Sequence, residues 1–253
     1  DVSQNRADNH EAVDWVFSQL ELSIKGGTIR WTDELRRAPP LALGQVDAVL
    51  RNSRRSHNMR VDATPPPEWG ERFSVRGIFR QPLLSRNPGD WNEWSGQLFA
   101  EFSRVDVSRV KEYVGLEGVG MDLQTGSGSL RAWADVEGGR LVGGTFDVAL
   151  TDVDVRLGRA LQPLAFESVT GRFGGRQIAN GFDFNTEGLR FNTRDGLRWP
   201  GGNLAMVYTD TDTVGGGGQR GELKADRLDL ATLAQIAARL PLGTDTHALI
   251  ASY

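Results

Sequence analysis

The sequence predicts a mainly β protein, built as an antiparallel meander with a few short helices. Apolar residues alternate with polar ones over most of the chain, which is the period of a strand that buries one face. Glycine-rich turn signals separate these segments about every ten residues, and helical spacing is confined to short stretches. A parallel α/β fold would alternate strands with long helices, and that pattern is missing.

Composition allows a sizeable core and excludes several classes of site. The 253 residues are enough for one large β domain or two smaller domains. The net charge of −4 lacks the basic excess that nucleic-acid binding needs, so no nucleic-acid partner is predicted. Because cysteine is absent, a disulfide framework, a cysteine zinc site and a cysteine nucleophile are excluded. No apolar run is long enough to span a bilayer.

The N-terminal part, residues 1–20, is predicted to be a polar tail followed by a helix. Apolar residues at helical spacing lie between Glu11 and Leu20. From residue 21 the period changes to two, and Gly26-Gly27 is predicted to turn a first hairpin. A turn or loop is predicted over residues 51–57.

Residues 21–226 are predicted to form the antiparallel β segment, with roughly fourteen short strands. One short helix is predicted near residues 106–114. The alternation is clearest from Leu130 to Tyr208, where Gly138-Gly139 and Asp195-Gly196 are typical hairpin turns.

The C-terminal part, residues 227–253, is predicted to be a helix and a truncated end. Apolar residues at helical spacing indicate a helix from Asp229 to Leu240, which Pro241 would end. The chain starts at Asp1, shows no signal peptide and stops within an element. We therefore expect it to be a segment of a longer protein.

Two weak internal repeats suggest a sheet that grows along one axis. In the first, residues 104–110 and 227–233 share an arginine, an aspartate and three apolar positions, and each is expected to open a helix. In the second, residues 41–50 and 148–157 share four apolar positions and an aspartate, which a strand, a step and a second strand would explain. Chance similarity among amphipathic strands is the alternative.

Motifs for catalysis and cofactor binding are absent, so we expect no enzymatic activity, no cofactor and no metal. No phosphate-binding glycine loop matches, and Gly126-Ser-Gly128 and Gly174-Gly175 are predicted to lie in turns. The three histidines, His10, His57 and His247, lie in separate polar or terminal segments and are predicted to be surface residues.

Trp91 and Trp94 flank a polar loop, and two interpretations stay open for them. They could anchor the protein at a lipid interface, or they could form a small cluster under the loop.

Several short segments occur in an order that is more specific than any one of them. They are Leu22–Glu34, Pro39–Asp47, Trp94–Ala100, Leu130–Trp133, Thr193–Leu197, Arg227–Leu230 and the helix end Leu240–Leu242. In this order they resemble the periplasmic region of the YhdP/AsmA-like family, and the similarity covers nearly the whole chain.

The resemblance implies a long, curled antiparallel sheet that forms an open, taco-like groove. It implies the periplasmic portion of an inner-membrane-anchored protein, which binds phospholipid acyl chains and conducts lipid between the inner and outer membranes. Contact with both membranes would be made by parts of the full-length chain that this segment lacks. The family has no catalytic residues to carry over. A structural or interaction module of the envelope with a filled β core and no ligand is the alternative.

One face of the sheet is the candidate lipid-contacting surface. Its members are apolar residues that alternate with polar ones along four predicted strands. They are Leu130, Ala132, Ala134, Val136, Phe146, Val148, Leu150, Phe182, Phe184, Leu189, Phe191, Leu204, Met206 and Tyr208. The alternative is that these residues only pack against the predicted helices.

Overall fold

The computed structural model describes residues 12–32, 41–85, 87–110, 122–157, 161–211 and 218–227, together with residues 232, 235 and 239. The first helix, α1, covers residues 12–18. The strands are β1 (Glu21–Trp31), β2 (Leu41–Asn52), β3 (Ser56–Thr64), β4 (Phe73–Arg80), β5 (Ser95–Asp106), β6 (Asp122–Glu137), β7 (Arg140–Arg156), β8 (Leu164–Ile178), β9 (Gly181–Thr193), β10 (Arg198–Trp199), β11 (Leu204–Thr211) and β12 (Gly218–Ala225). A 3₁₀ turn covers Trp91–Glu93, and a one-turn helix, α2, covers Val107–Val110.

All of these strands form one antiparallel sheet in which sequence neighbours are also spatial neighbours. The order is β1-β2-β3-β4-β5-β6-β7-β8-β9-β11-β12, and β10 pairs with β9 beside this path. In the described part of the chain β1 and β12 do not pair with each other, so the sheet is open. The predicted fold class is therefore confirmed: mainly β, antiparallel and open, with short helices.

The strand register divides the side chains into two faces. Residues directly opposite each other in an antiparallel pair point to the same side of the sheet. Leu130 of β6 lies opposite Phe102 of β5 and Val148 of β7, and this series continues through each pair of strands. We call this side the inner face and the opposite side the outer face.

Bulges bend seven of the strands. The register shifts in the pairing of β1, β2, β5, β6, β7, β8 and β9. A bulge adds one residue to a strand, bends it and increases its twist. Repeated bends of this kind favour a curved sheet over a flat one.

Three glycine segments lie in strands, so their prediction as turns is wrong. Gly26-Gly27 lies within β1, where the register shifts, and does not close a hairpin. Gly126 and Gly128 lie within β6 with φ of 149°, a backbone conformation that disfavours other residues. Gly174-Gly175 continues β8. The hairpin turn at Gly138-Gly139 is found as predicted.

The second sequence repeat is a repeated bulge. Gln45 in β2 and Asp152 in β7 are two of three described non-glycine residues with positive φ, at 47° and 53°. Each is followed by a buried valine of the inner face, Val46 and Val153. The two halves of each repeat therefore belong to one bent strand, which reduces the number of described strands to twelve against the roughly fourteen predicted.

Helix α1 covers the inner face at one end of β3, β4 and β5. Phe17 packs edge-on against Trp94, with ring centroids 4.7 Å apart, and also contacts His57. His57 stacks on Trp94 at 4.1 Å and is only 1% exposed, so its prediction as a surface residue is wrong. Its ring fills the space between strand and helix, and its polar atoms are satisfied by Asn52 and Gln81.

Two apolar clusters of buried side chains lie at the other end of the strands. The first contains Val105, Val107 of α2, Leu150 and Val153. The second joins Leu164 of β8, Phe191 of β9 and Trp199 of β10. Side chains from the bent strand ends and α2 exclude water here, and this contributes to stability through apolar burial.

The remaining predicted elements fall partly outside the described residues. The helix near 106–114 is found as α2, and residues 111–114 lie outside the described part. The C-terminal helix from Asp229 to Leu240 also lies largely outside it, as do His10 and His247. The division into residues 1–20, 21–226 and 227–253 stays a prediction. No described helix has both the length and the apolar character needed to cross a membrane.

Candidate functional site

The fourteen residues of the candidate surface lie on one face. The register aligns Ala132 with Phe146 and Leu130 with Val148 between β6 and β7. On the other side of β8, Phe184 lies opposite Met206, and Phe182 lies opposite Tyr208. Alternation places the other members in β6, β7 and β11 on the same inner face. In β9, a bulge between Glu187 and Arg190 brings Leu189 and Phe191 to this face, and Phe191 lies opposite Val169. Their contact with lipid stays a prediction.

The inner face also includes apolar residues from strands that contribute none of the fourteen candidate residues. They come from β1 to β5 and β8, and they follow the same alternation: Leu22, Ile24, Ile29, Leu43, Val46, Ala48, Leu50, Met59, Val61, Ala63, Phe73, Val75, Phe79, Leu98, Ala100, Phe102, Val105, Leu164, Phe166, Val169 and Phe173. The period-two signal could have found them, since it is present in each of these strands.

No charged side chain lies on the inner face within the part of the chain whose side chains are described. Three polar exceptions, His57, Thr186 and Thr193, are buried, whereas Gln177 of β8 lies opposite Phe182 and is exposed. The Thr186 hydroxyl accepts a hydrogen bond from the Leu204 backbone N–H at 3.1 Å. Among the side chains that the structure describes, the face is therefore mainly apolar from β1 to β12.

Part of this surface is open to solvent. Phe146 in the middle of β7 is 38% exposed, Phe182 of β9 is 43% exposed and Leu223 of β12 is 59% exposed. These aromatic and aliphatic side chains project from the same face as the buried clusters. An exposed, continuous apolar surface on a folded protein marks an interaction site.

The outer face carries the charges. Arg172 of β8 donates hydrogen bonds to both carboxylate oxygens of Asp147 on β7, at 2.6 and 3.1 Å, and these hold the pKa of Asp147 below its usual value. The Arg172 guanidinium also lies 5.7 Å from the ring centre of Trp133. On β3, hydrogen bonds from Arg60 lower the pKa of Asp62 in the same way. The Arg172–Asp147 pair joins two strands, whereas Arg60 and Asp62 pair within β3. Charged pairs of both kinds remain hydrated on a face that meets water.

The two loop tryptophans have different environments. Trp94 is 3% exposed and belongs to the cluster with Phe17 and His57, as the cluster interpretation predicts. Trp91 is exposed, so the cluster interpretation does not extend to it.

Metal-ligating side chains do not converge in the described residues: no three His, Asp or Glu side chains there form a group that could hold an ion. The chemistry that the described surface offers is apolar binding on one side and charge on the other.

A family model described as YhdP protein matches residues 1–252. Separate comparisons with curated proteins and with solved structures give no match. The family match extends over nearly the full length and agrees with the open, mainly β architecture. The chain belongs to the YhdP protein family.

Proposed function

We propose that this chain is a segment of a lipid-conducting protein, and that phospholipid acyl chains lie on the inner face. In this proposal it forms the periplasmic portion of an inner-membrane-anchored protein that conducts phospholipid between the inner and outer membranes, without enzymatic chemistry. The observation that carries the proposal is the apolar inner face, which crosses the whole described sheet and is partly exposed.

The dimensions and the energetics support this function. Eleven strands along the path, each about 4.8 Å from the next, give a surface roughly 50 Å long. Burying an acyl chain contributes about 0.8 kcal/mol per CH₂ group, so a chain of about sixteen carbons gains on the order of 10 kcal/mol. An apolar face of this kind could therefore replace the bilayer interior as the surroundings of an acyl chain.

The absence of charge on the inner face matters as much as its apolar character. An unpaired carboxylate or ammonium would have to lose its hydration wherever an acyl chain covered it, and that loss is costly. The ion pairs of the outer face avoid this cost because they stay in water. The acyl chains are therefore expected to follow the inner face alone.

Photo-crosslinking tests the proposal. The purified protein is incubated with vesicles that contain a phospholipid with a photoactivatable group in its acyl chain. After irradiation, crosslinked peptides are identified by mass spectrometry. We expect crosslinks at Phe146 and Phe182, and none at their outer-face neighbours Thr145 and Asp183. A folded protein without crosslinks would favour the alternative, a structural module with no lipid ligand, and equal labelling of both faces would contradict the proposed path.

A further inference from the structure

A cavity opens at the rim of the sheet where β7 and β8 separate. The pairing of these strands ends at Gly143 and Arg176, and the residues beyond them are not paired between β7 and β8. The cavity has a volume of about 630 Å³, within the range of small-molecule sites. Its lining residues come from the start of β5, the end of β6, the start of β7 and the end of β8.

The lining combines one cation with two carboxylates. Arg176 lies across Gly143 from Asp135, and its guanidinium is 3.7 Å from the carboxylate. Both side chains are well exposed, at 69% and 41%, so this pair is weak and can be rearranged by a ligand. The Glu137 carboxylate also lines the cavity and has no ion-pair or hydrogen-bond partner in the described part of the chain.

The cavity also touches the inner face. Val136, which lines it, is an inner-face residue and lies opposite Gly96 of β5. Gln97 of the outer face lines it too and donates a hydrogen bond of 3.2 Å to Asp135. Polar and apolar groups therefore meet at this one point of the rim, as they do where a phospholipid headgroup joins its acyl chains.

We propose that the rim cavity holds the headgroup of a phospholipid that carries both a phosphate and an ammonium group. The inference rests on the proposed function, because the acyl chains of the same lipid would lie on the inner face. The Arg176 guanidinium matches a phosphate in charge and geometry. The carboxylates of Asp135 and Glu137 match an ammonium. An anionic headgroup without an ammonium would meet two like charges, which disfavours it.

Competition between two headgroups tests this inference. Delipidated protein is incubated with vesicles of phosphatidylethanolamine and phosphatidylglycerol in equal amounts, with identical acyl chains, and bound lipid is identified by native mass spectrometry. We expect about a tenfold preference for phosphatidylethanolamine, which corresponds to 1.4 kcal/mol. Glu137→Gln should reduce this preference, and Arg176→Gln should weaken the binding of both lipids.

Glu101→Gln is the matched control, since Glu101 is an exposed outer-face residue that does not line the cavity. It should leave the preference unchanged. Bound lipid without headgroup preference in the unaltered protein would overturn the inference while leaving the proposed function intact. Equal loss of preference in Glu101→Gln and Glu137→Gln would also overturn it, because the effect would then be one of net charge. Absence of any bound lipid would instead overturn the proposed function. Displacement of the lipid by soluble glycerophosphoethanolamine at equal concentration would show a site for the free headgroup and would contradict the acyl-chain contribution.

Discussion

Placing a carboxylate on the inner face separates a lipid path from a filled core. Val148 lies on β7 opposite Leu130 and Gly171, and it packs at the edge of the first apolar cluster. Its side chain is half-buried, so in the lipid-free protein an aspartate at this position would keep part of its hydration. We expect Val148→Asp to cost about 1 kcal/mol of folding free energy, which is part of the transfer free energy of a valine.

The effect on lipid binding should be larger, because a bound acyl chain would remove the remaining water from the carboxylate. The effective penalty for an unpaired buried charge is several kcal/mol, and about 3 kcal/mol weakens binding roughly 100-fold. Ala149→Asp is the matched control, since Ala149 is the next residue on β7 and is exposed on the outer face.

Two measurements on both variants test this expectation. Urea unfolding gives the free energy of unfolding, and transfer of a fluorescent phospholipid from vesicles gives lipid binding. We expect both proteins to fold, with lipid binding lost only in Val148→Asp. If Val148→Asp unfolds while Ala149→Asp does not, the inner face is a filled core. If Val148→Asp folds and binds lipid as well as Ala149→Asp, then Val148 lies outside the path.

Three further predictions concern stability, each measured by urea unfolding. Burial lowers the pKa of His57, so the unfolded state binds the proton more readily. The free energy of unfolding should therefore fall as the pH drops below about 6.5, by at most about 1.4 kcal/mol per pH unit. His57→Phe should remove this contribution to the pH dependence. Arg172→Ala should lower the free energy of unfolding, and Arg172→Lys should recover only part of this loss because lysine lacks the two-pronged geometry that binds Asp147; full recovery by lysine would refute this reason. Gly128→Ala should lower the free energy of unfolding by more than about 2 kcal/mol, because the new Cβ would lie 2.1 Å from a backbone oxygen. Gly188→Ala has open space for the Cβ and should lower it by only about 1 kcal/mol, because of the positive φ. Equal losses in the two variants would contradict the steric argument.

The alternation of side chains could be predicted from the sequence because it depends on local order alone. Leu130, Ala132 and Ala134 share a face in any extended strand, whatever their partners are. A meander adds each strand beside the previous one, so the topology follows once the strands and turns are identified. This is why the fold class and the common face of the candidate residues within β6, β7 and β11 could be obtained without a structure. In β9 the alternation alone would separate Phe184 from Leu189, and only the bulge between them returns Leu189 to the inner face.

Contacts between distant residues could not be predicted in the same way. His57 lies in a polar stretch of sequence, yet Phe17 and Trp94 surround its ring from forty and thirty-seven residues away. Glycines are ambiguous for a related reason. A glycine with positive φ serves a hairpin turn at Gly138 and a strand bend at Gly126, and only the pairing of the neighbouring strands distinguishes these two uses.

The repeated bulge shows how the sequence keeps one face apolar through a bend. A bulge adds one residue, so unchanged alternation beyond it would invert the faces and turn the charged positions inwards. At Gln45 the apolar spacing changes in step, since Leu43 and Val46 are three residues apart where two would be usual.

The same change of spacing separates Leu150 from Val153 around Asp152. In each case the aspartate after the valine remains on the outer side, where an arginine pairs with it: Arg72 with Asp47 at 2.7 Å, and Arg194 with Asp154 at 3.1 Å. Because backbone and sequence shift together, the inner face stays apolar across both bends. An acyl chain that follows this face would therefore meet no charge at either bulge.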